Sequence, residues 1–334
     1  MQPGTRMPIT TPHVHIVTTV REPGPPLLSF IAYHQSLGFE HIFVFFDQQA
    51  DPWFDRVADL PGVTAVPCDE SLLALRRRRC RVLNQVEDYL DKEVMARQIL
   101  NVDLALQFAH ERGADWLLHV DIDELFFSNT SAQEHFALLP STIGQVTYVN
   151  YEAFPECADT NDYFRSVTLF KMNRQNLPDH LVADWLAATG REWYFLAYAN
   201  GKSAVRVSPD VLPAGVHSFD IASTRLESVV STNPLILHYA NCGLDYFVRK
   251  YRHRGKFSNS CFDRWPRAAF QALARDVIGT GDERLILEFY DRHVLCRNEA
   301  EAADLIRFGL GARITGPRNI LTGLLGEEPL CAGT

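Results

Sequence analysis

One segment, residues 115–127, constrains the fold of this chain more than any other. It reads Asp-Trp-Leu-Leu-His-Val-Asp-Ile-Asp-Glu-Leu-Phe-Phe, an apolar run over 116–120 that ends at Asp121 and Asp123. The run predicts a buried strand, and side chains two apart on an extended chain lie on the same side. Two carboxylates that close repel each other unless a cation or a proton lies between them. Hard oxygen ligands favour Mg²⁺ or Mn²⁺ beside substrate phosphates, so the pattern predicts a metal–phosphate site.

The first part of the chain alternates between apolar strands and helices. Strands are predicted over Val14–Val20, 42–46, Val63–Val66 and 116–120, and helices over 27–37 and, in two pieces, 71–112. This alternation with short connections predicts a mostly parallel sheet with helices on both faces. Ligands of such sheets bind beyond the carboxyl ends of the strands. Arg21, Asp47 and Asp121 all fall at those ends.

The second part of the chain is less regular, and no internal repeat is visible in the sequence. Strands are predicted over 145–151, 164–171, 194–198, 203–207 and 234–239. Asn200-Gly201 between two of them is a hairpin signal. Helices are predicted over Leu244–Arg254, 264–278, 283–291 and 299–308, and the tail after Gly309 is left unassigned. A continuous domain with a mixed second half fits this pattern better than two independent domains.

Composition excludes several classes of protein. The 334 residues carry a net charge of −9, whereas a general nucleic-acid binder would show a basic surface. The seven cysteines are scattered without a CxxC pair, which favours reduced thiols and a cytoplasmic location. No uninterrupted apolar stretch is long enough to span a bilayer. We therefore expect neither a nucleic-acid partner nor an integral membrane segment.

Six segments, in order along the chain, resemble those of GT-A-fold nucleotide-sugar glycosyltransferases. They are "TTVREPGPPLLSFIAYHQSLGFEHIFVFFDQQADP", "ADWLLHVDIDELFF", "YFRSVTLFK", "GKSAVRV", "GVHSF" and "LILHYANCGLDYFVRKYRHRG". The chain is similar to bacterial proteins with a family-2-like or family-92-like domain, whose DxD motif matches Asp-Ile-Asp-Glu here. Arg21-Glu22-Pro23 departs from that family's Lys-Asn-Glu, and "YEAFPECADTND" lacks its Phe-Gly pattern.

The resemblance implies an α/β fold of GT-A type, with a mostly parallel mixed sheet flanked by helices and a helical C-terminal region. It implies a glycosyltransferase domain over 1–255, with a nucleotide-binding part at about 13–127 and an acceptor part at about 140–255. Residues 256–334 would form a helical extension packed on the same domain. The implied activity is metal-dependent transfer of a sugar from a nucleotide-diphosphate sugar to an unidentified glycan or small molecule.

The resemblance also implies which residues hold the metal and the donor. Asp121 and Asp123 would ligate Mn²⁺ or Mg²⁺, and a histidine from the C-terminal half, His238 or His217, would be a third ligand. A divalent ion stabilises the charge that develops on the leaving diphosphate. The residues expected to bind the donor are Thr18, Arg21, Asp47, Asp51, Gln98, Asn101, Asp121, Lys202, Lys250 and Arg254.

An inverting transferase, which the resemblance favours over a retaining one, needs a carboxylate to take the acceptor proton. The candidates lie in one irregular segment and are Glu152, Glu156, Asp159 and Asp162. Two other functions stay open from the residues. A Mg²⁺-dependent nucleotidyltransferase or phosphoesterase could use the same two acids, although no Walker-type loop exists here. A catalytically silent nucleotide-sugar-binding protein could also carry them, because fold does not guarantee function.

Overall fold

The computed structural model describes residues 11–221, 227–254 and 257–327, with the side chains of Arg254 and Trp265 left out. Among the described residues, ten strands form one mixed sheet and four form two small ribbons. The strands are β1 (Val14–Val20), β2 (His41–Phe46), β3 (Val63–Val66), β4 (Trp116–His119), β5 (Glu124–Phe127), β6 (Ile143–Ala153), β7 (Leu169–Lys171), β8 (Lys202–Arg206), β9 (Val211–Pro213), β10 (Phe219–Ile221), β11 (Glu227–His238), β12 (Ser260–Cys261), β13 (Trp265–Pro266) and β14 (Gly311–Arg313).

Helices cover the sheet. They are α1 (Pro26–Ser36), α2 (Phe54–Val57), α3 (Glu70–Arg79), α4 (Leu83–Val86), α5 (Val94–Glu111), α6 (Ala132–Ala137), α7 (Tyr163–Ser166), α8 (Asp179–Thr189), α9 (Leu244–Arg254), α10 (Ala269–Gly279), α11 (Glu283–His293), α12 (Glu299–Arg307) and α13 (Gly316–Leu325), with 3-10 turns at Glu87–Tyr89 and Arg174–Asn176. None of the described helices combines the length and the apolar character needed to cross a bilayer.

The strand order is β14-β7-β6-β8-β4-β1-β2-β3, with β11 paired to both β5 and β6. The four strands from the first part of the chain, β3, β2, β1 and β4, are parallel. β8 joins them antiparallel to β4, and β6, β7 and β14 continue antiparallel. The predicted α/β fold with a mixed sheet flanked by helices is confirmed. In the described ranges, parallel pairing is confined to the first four strands and the β6–β11 pair.

The parallel strands β1, β2 and β4 are buried on both faces, which explains their largely apolar sequences. Along β1, Ile16 packs with α1 on one face, whereas its neighbour Val17 packs with Val102 and Leu106 of α5 on the other. Successive side chains of a strand point to opposite faces. A continuous apolar run in this part of the chain therefore serves two hydrophobic layers at once.

The C-terminal part is attached to the sheet and to α9. β14 pairs antiparallel with β7 at the edge of the sheet. One side of α9 packs through Phe247 and Tyr251 against α10 and α11, where Phe270 and Tyr290 are buried in the same hydrophobic cluster. The hydroxyl of Tyr290 also donates a hydrogen bond to the carbonyl of Asn241, at 2.9 Å. α10 and α11 therefore support α9 directly.

Four predictions of secondary structure are wrong. Residues 194–198 form no strand, because the carboxylate of Glu152 accepts the backbone N–H groups of Leu196 and Ala197 that a strand would use. Asn200-Gly201 is consequently not a hairpin turn between two strands. Residues 164–171 begin with the helical turn α7, and only their end forms β7. The helix predicted from residue 264 begins at Ala269, because Pro266 lies in the ribbon strand β13.

Candidate functional site at the strand ends

A cavity of about 560 Å³ lies where the carboxyl ends of β1, β2 and β4 meet. Because these strands are parallel, the residues that follow them gather at one edge of the sheet. α9 and the segment before α5 supply the opposite wall. Of the residues predicted from the sequence, those that line the cavity are Arg21, Asp47, Gln98, Asp121, Asp123, His217, His238 and Lys250.

Asp121 stands just beyond β4 with both carboxylate oxygens engaged. Oδ2 accepts a hydrogen bond from Lys202 Nζ at 2.9 Å, and Oδ1 accepts one from Gln98 Nε2 at 2.8 Å. The Lys202 side chain is fully buried, whereas that of Asp121 is 24% exposed. Burial acts to raise the pKa of Asp121, but the Lys202 ammonium outweighs it and holds that pKa well below its usual range. Asp121 is therefore an ionised carboxylate fixed in place by a buried cation.

Asp123 accepts hydrogen bonds from two side chains of α9. Its Oδ2 accepts hydrogen bonds from Lys250 Nζ at 2.7 Å and from the Tyr246 hydroxyl at 3.1 Å. Its Oδ1 lies 3.8 Å from Nε2 of His238. Burial raises the pKa of Asp123, while Lys250 and then His238 lower it, and the net direction is downward. The two acids thus each have a lysine partner, Asp121 from the sheet and Asp123 from a helix.

Glu124, the third acid of the segment, lies beneath the pair and is fully buried. Its carboxyl accepts the backbone N–H of Asp121 at 2.7 Å and the hydroxyl of Tyr198. It lies 3.8 Å from the Lys202 ammonium. Burial nevertheless raises the pKa of Glu124 well above its ordinary value. Glu124 shapes the turn that presents Asp121 and does not line the cavity.

The two candidate histidines are uncharged at neutral pH. Burial lowers the pKa of both His238 and His217 to about 4. Nδ1 of His217 is bonded to the carbonyl of Gly201 at 2.7 Å, whereas Nδ1 of the buried His238 has no hydrogen-bond partner among the described residues. The ring of Tyr198 packs against both imidazoles, with centroids 4.4 and 4.6 Å apart. These three rings form the floor of the cavity beside the two acids.

The part of the cavity formed by the residues that follow β1 and β2 is lined by charged and polar pairs. Both oxygens of Asp47 accept hydrogen bonds from Arg97, at 2.6 and 2.7 Å. The guanidinium of Arg21 donates to Gln48 at 3.1 Å. Glu22, which has a positive φ of 44°, pairs with His253 of α9 at 2.8 Å. This part of the cavity combines hydrogen-bond donors and acceptors in a space next to the two acids.

Four of the residues predicted to bind a donor do not line the cavity. Thr18 is fully buried in β1, and Asn101 is buried between Thr19 and Arg76. Asp51 accepts backbone N–H groups at the turn after β2. Lys202 lies behind Asp121, fully buried. Arg254 falls outside the described side chains.

None of the four carboxylates predicted as a catalytic base lines the cavity. Glu152 is buried in an ion pair with Lys171, at 2.7 Å, besides accepting two backbone N–H groups. Glu156 pairs with Arg313, at 2.7 Å. Asp162 caps α7 and accepts the hydroxyl of Ser29. Asp159 is exposed. Their segment is tied to the C-terminal region and to α1, away from the cavity wall.

Several cavity residues escaped the sequence reasoning, and three of them lie on α9. Tyr246, Arg249 and His253 line the cavity together with Lys250. Their spacing of three and four places them on one helical face, which is the signal that could have found them. The Arg249 guanidinium has no hydrogen bond or ion pair within the described part of the chain, and its Nε is buried without a partner. It is a cation on the cavity wall that has no counter-ion in the described part of the chain.

The arrangement of these side chains does not fit a divalent cation. Mn²⁺ and Mg²⁺ need several oxygen ligands at close range, yet three of the four oxygens of Asp121 and Asp123 already accept hydrogen bonds. Two of the donors are ammonium groups, which would repel a metal ion in the same space. Across the described ranges, no three His, Cys, Asp or Glu side chains come together as a ligand set.

Comparison with known proteins identifies relatives by sequence. No protein-family profile matches the chain. Two proteins of Arabidopsis thaliana, each named glycosyltransferase-like, are 29% identical over 336 residues and 27% identical over 334 residues. These alignments cover 95% and 94% of this chain, and 73% and 64% of the relatives' own lengths.

Two solved structures are similar to part of the chain. The Mn/GDP form of core-mannan synthase A from Aspergillus fumigatus is 10% identical, with a TM-score of 0.29, over 59% of this chain and 60% of its own. The mannosyltransferase Ktr4p from S. cerevisiae is 13% identical, with a TM-score of 0.24, over 46% of this chain and 42% of its own. What the comparisons establish is that this chain is similar, along nearly its whole length, to glycosyltransferase-like proteins.

Proposed function

We propose that this protein is a GT-A-type glycosyltransferase that moves a sugar from a nucleotide-diphosphate sugar to a glycan or small-molecule acceptor. The observation that carries the proposal is the cavity at the strand ends, where Asp121 is paired with Lys202 of β8 and Asp123 with Lys250 of α9. A nucleotide sugar needs acceptors for its hydroxyls and cations for its diphosphate, and both are present. The names of the two plant relatives support the same class of enzyme.

The donor would lie along the cavity with its nucleoside near Arg21 and Asp47. Its diphosphate would reach Arg249 and Lys250 on α9, since these are cations of the wall next to the acids. Asp121 and Asp123, whose pKa values are lowered, would accept hydrogen bonds from sugar or ribose hydroxyls. Positioned cations stabilise the negative charge that develops on the departing diphosphate.

Inverting transfer needs a base, and we assign this role to Asp91. The other carboxylates that line the cavity are all engaged by a cation or by a hydrogen-bond donor. Asp91 is exposed at the rim and makes no hydrogen bond or ion pair within the described ranges. A carboxylate that accepts no hydrogen bond can take the proton of an acceptor hydroxyl as the oxygen attacks the anomeric carbon.

The test is a binding and turnover experiment on the whole chain. UDP, GDP, CDP, dTDP and ADP are each added, with Mn²⁺ or with EDTA, and melting is followed. A nucleotide at ~100 times its dissociation constant stabilises by about 2.7 kcal/mol, which is visible as a shift. The matching nucleotide sugar should then release its nucleoside diphosphate, and Asp91→Asn should stop release while keeping binding. No nucleotide binding in either buffer would refute the proposal, and binding without release would indicate a silent binding protein.

A further inference from the structure

We propose, resting on the proposed function, that the site binds the nucleoside diphosphate without a divalent metal. Lys202 and Lys250 supply the charge that a metal ion would supply. A pair of carboxylates with one divalent cation has no net charge, and the same pair with two ammonium groups has none either. Asp121 with Lys202 and Asp123 with Lys250 form this second arrangement, at 2.9 and 2.7 Å.

The hydrogen bonds at the two acids leave little room for a metal. Neither oxygen of Asp121 is free, since Oδ2 accepts a hydrogen bond from Lys202 and Oδ1 accepts one from Gln98. Of the two Asp123 oxygens, only Oδ1 accepts no described hydrogen bond, and Nε2 of His238 lies 3.8 Å from it. Binding a metal here would break both lysine contacts and leave the fully buried Lys202 ammonium without its carboxylate, which is costly.

The two lysines have different tasks. An ammonium group has three N–H donors. Lys250 uses its donors on Asp123 and on the carbonyl of Ala240 at 2.6 Å, and its side chain is 15% exposed on the cavity wall. One donor of Lys250 is therefore left for a phosphate oxygen. Lys202 is fully buried and does not line the cavity, so it positions Asp121 and does not contact the ligand.

Arg249 supplies a positive charge that no carboxylate balances among the described residues, whereas the two lysines are balanced by Asp121 and Asp123. It neighbours Lys250 on α9, lines the cavity, and has no carboxylate partner among the described residues. Its guanidinium lies against the loop after β1, where an added Cβ on Gly24 would be 3.5 Å from Nη2. A guanidinium can bind two phosphate oxygens at once. Arg249 and Lys250 together therefore form a diphosphate clamp on one helix.

The experiment measures binding of the nucleoside diphosphate found active in the panel, by calorimetry, in EDTA and in Mn²⁺. The unmodified chain should bind with the same dissociation constant, within about threefold, in both buffers. Arg249→Ala and Lys250→Met should each weaken binding in EDTA by about tenfold or more, as expected for a lost charge-assisted hydrogen bond. Arg252→Ala is the matched control, because Arg252 is exposed on the same helix and does not line the cavity.

Three outcomes would overturn the inference. Binding that appears only with Mn²⁺ would overturn it while leaving the proposed function intact. Binding in EDTA that Arg249→Ala leaves unchanged would overturn the diphosphate clamp. Failure of every nucleotide in both buffers would overturn the inference together with the proposed function. Arg249→Ala removes no hydrogen bond described in the native chain, so this variant can be measured even if Lys250→Met fails to fold.

Discussion

The pair of Asp121 and Lys202 makes a quantitative prediction about stability. Asp121→Asn keeps the shape of the side chain and its contact with Gln98, but it removes the carboxylate to which the fully buried Lys202 ammonium donates its hydrogen bond. Removing one partner of a buried ion pair costs about 3–5 kcal/mol. The Asp121 side chain is 24% exposed, and the Glu124 carboxyl lies 3.8 Å from the same ammonium. We therefore expect the lower end of that range, about 3 kcal/mol.

Urea denaturation at pH 7 measures this loss of stability. A double variant tests whether the loss comes from the unpaired Lys202 ammonium. In Asp121→Asn with Lys202→Met no buried charge is left unpaired, so stability should recover to within about 1 kcal/mol of the unmodified chain. Nucleotide binding should not recover, because the carboxylate is still missing. The reasoning would be refuted by a cost below about 1 kcal/mol for the single variant, or by a double variant less stable than the single one.

Three further predictions concern other parts of the chain. Burial of Glu301 is outweighed by hydrogen bonds, first from Arg191, which hold the pKa of Glu301 at about 2 against an ordinary 4.5. Glu301→Gln should therefore cost about 3 kcal/mol above pH 4.5 and almost nothing near pH 2; equal losses in urea titrations at both pH values would contradict this. Gly201→Ala should cost at least about 3 kcal/mol, because Gly201 has a φ of 70° and its Cβ would meet the carbonyl oxygen of Tyr148 at 2.1 Å; a native melting temperature would exclude it. Lys250→Ala frees a carboxylate, so Mn²⁺ should improve nucleotide binding by this variant and not by the unmodified chain in paired titrations.

The sequence was sufficient where a local pattern determines the structure. The apolar run at 116–120 forms strand β4. Its consecutive residues Trp116 and Leu117 point to opposite faces of the sheet and pack in different hydrophobic layers. The parallel order of β1, β2 and β4 followed from the strand–helix alternation, and it gathers Arg21, Asp47 and Asp121 around one cavity. Sequence adjacency and strand direction were enough for these conclusions.

The parts that could not be predicted depend on contacts between distant segments. Lys202 and Asp121 are 81 residues apart, and Lys250 and Asp123 are 127 apart. No local pattern indicates that these acids already have cationic partners. Glu152 fits a catalytic base by position, yet its partner Lys171 lies on a neighbouring strand that only the folded sheet brings close.

The two-sided packing of α9 couples ligand binding to the stability of the C-terminal helices. One face of α9 carries Arg249 and Lys250, and the other is packed through Phe247 onto α10 and α11. We therefore expect that an anion which stabilises α9 on binding also stabilises α10 and α11, the helices packed on its other face. Amide hydrogens in α10 and α11 should exchange more slowly when the cavity is filled. Substitution of the apolar residues of α10 and α11 would then change the affinity of the cavity for its anion, although these residues lie outside the cavity.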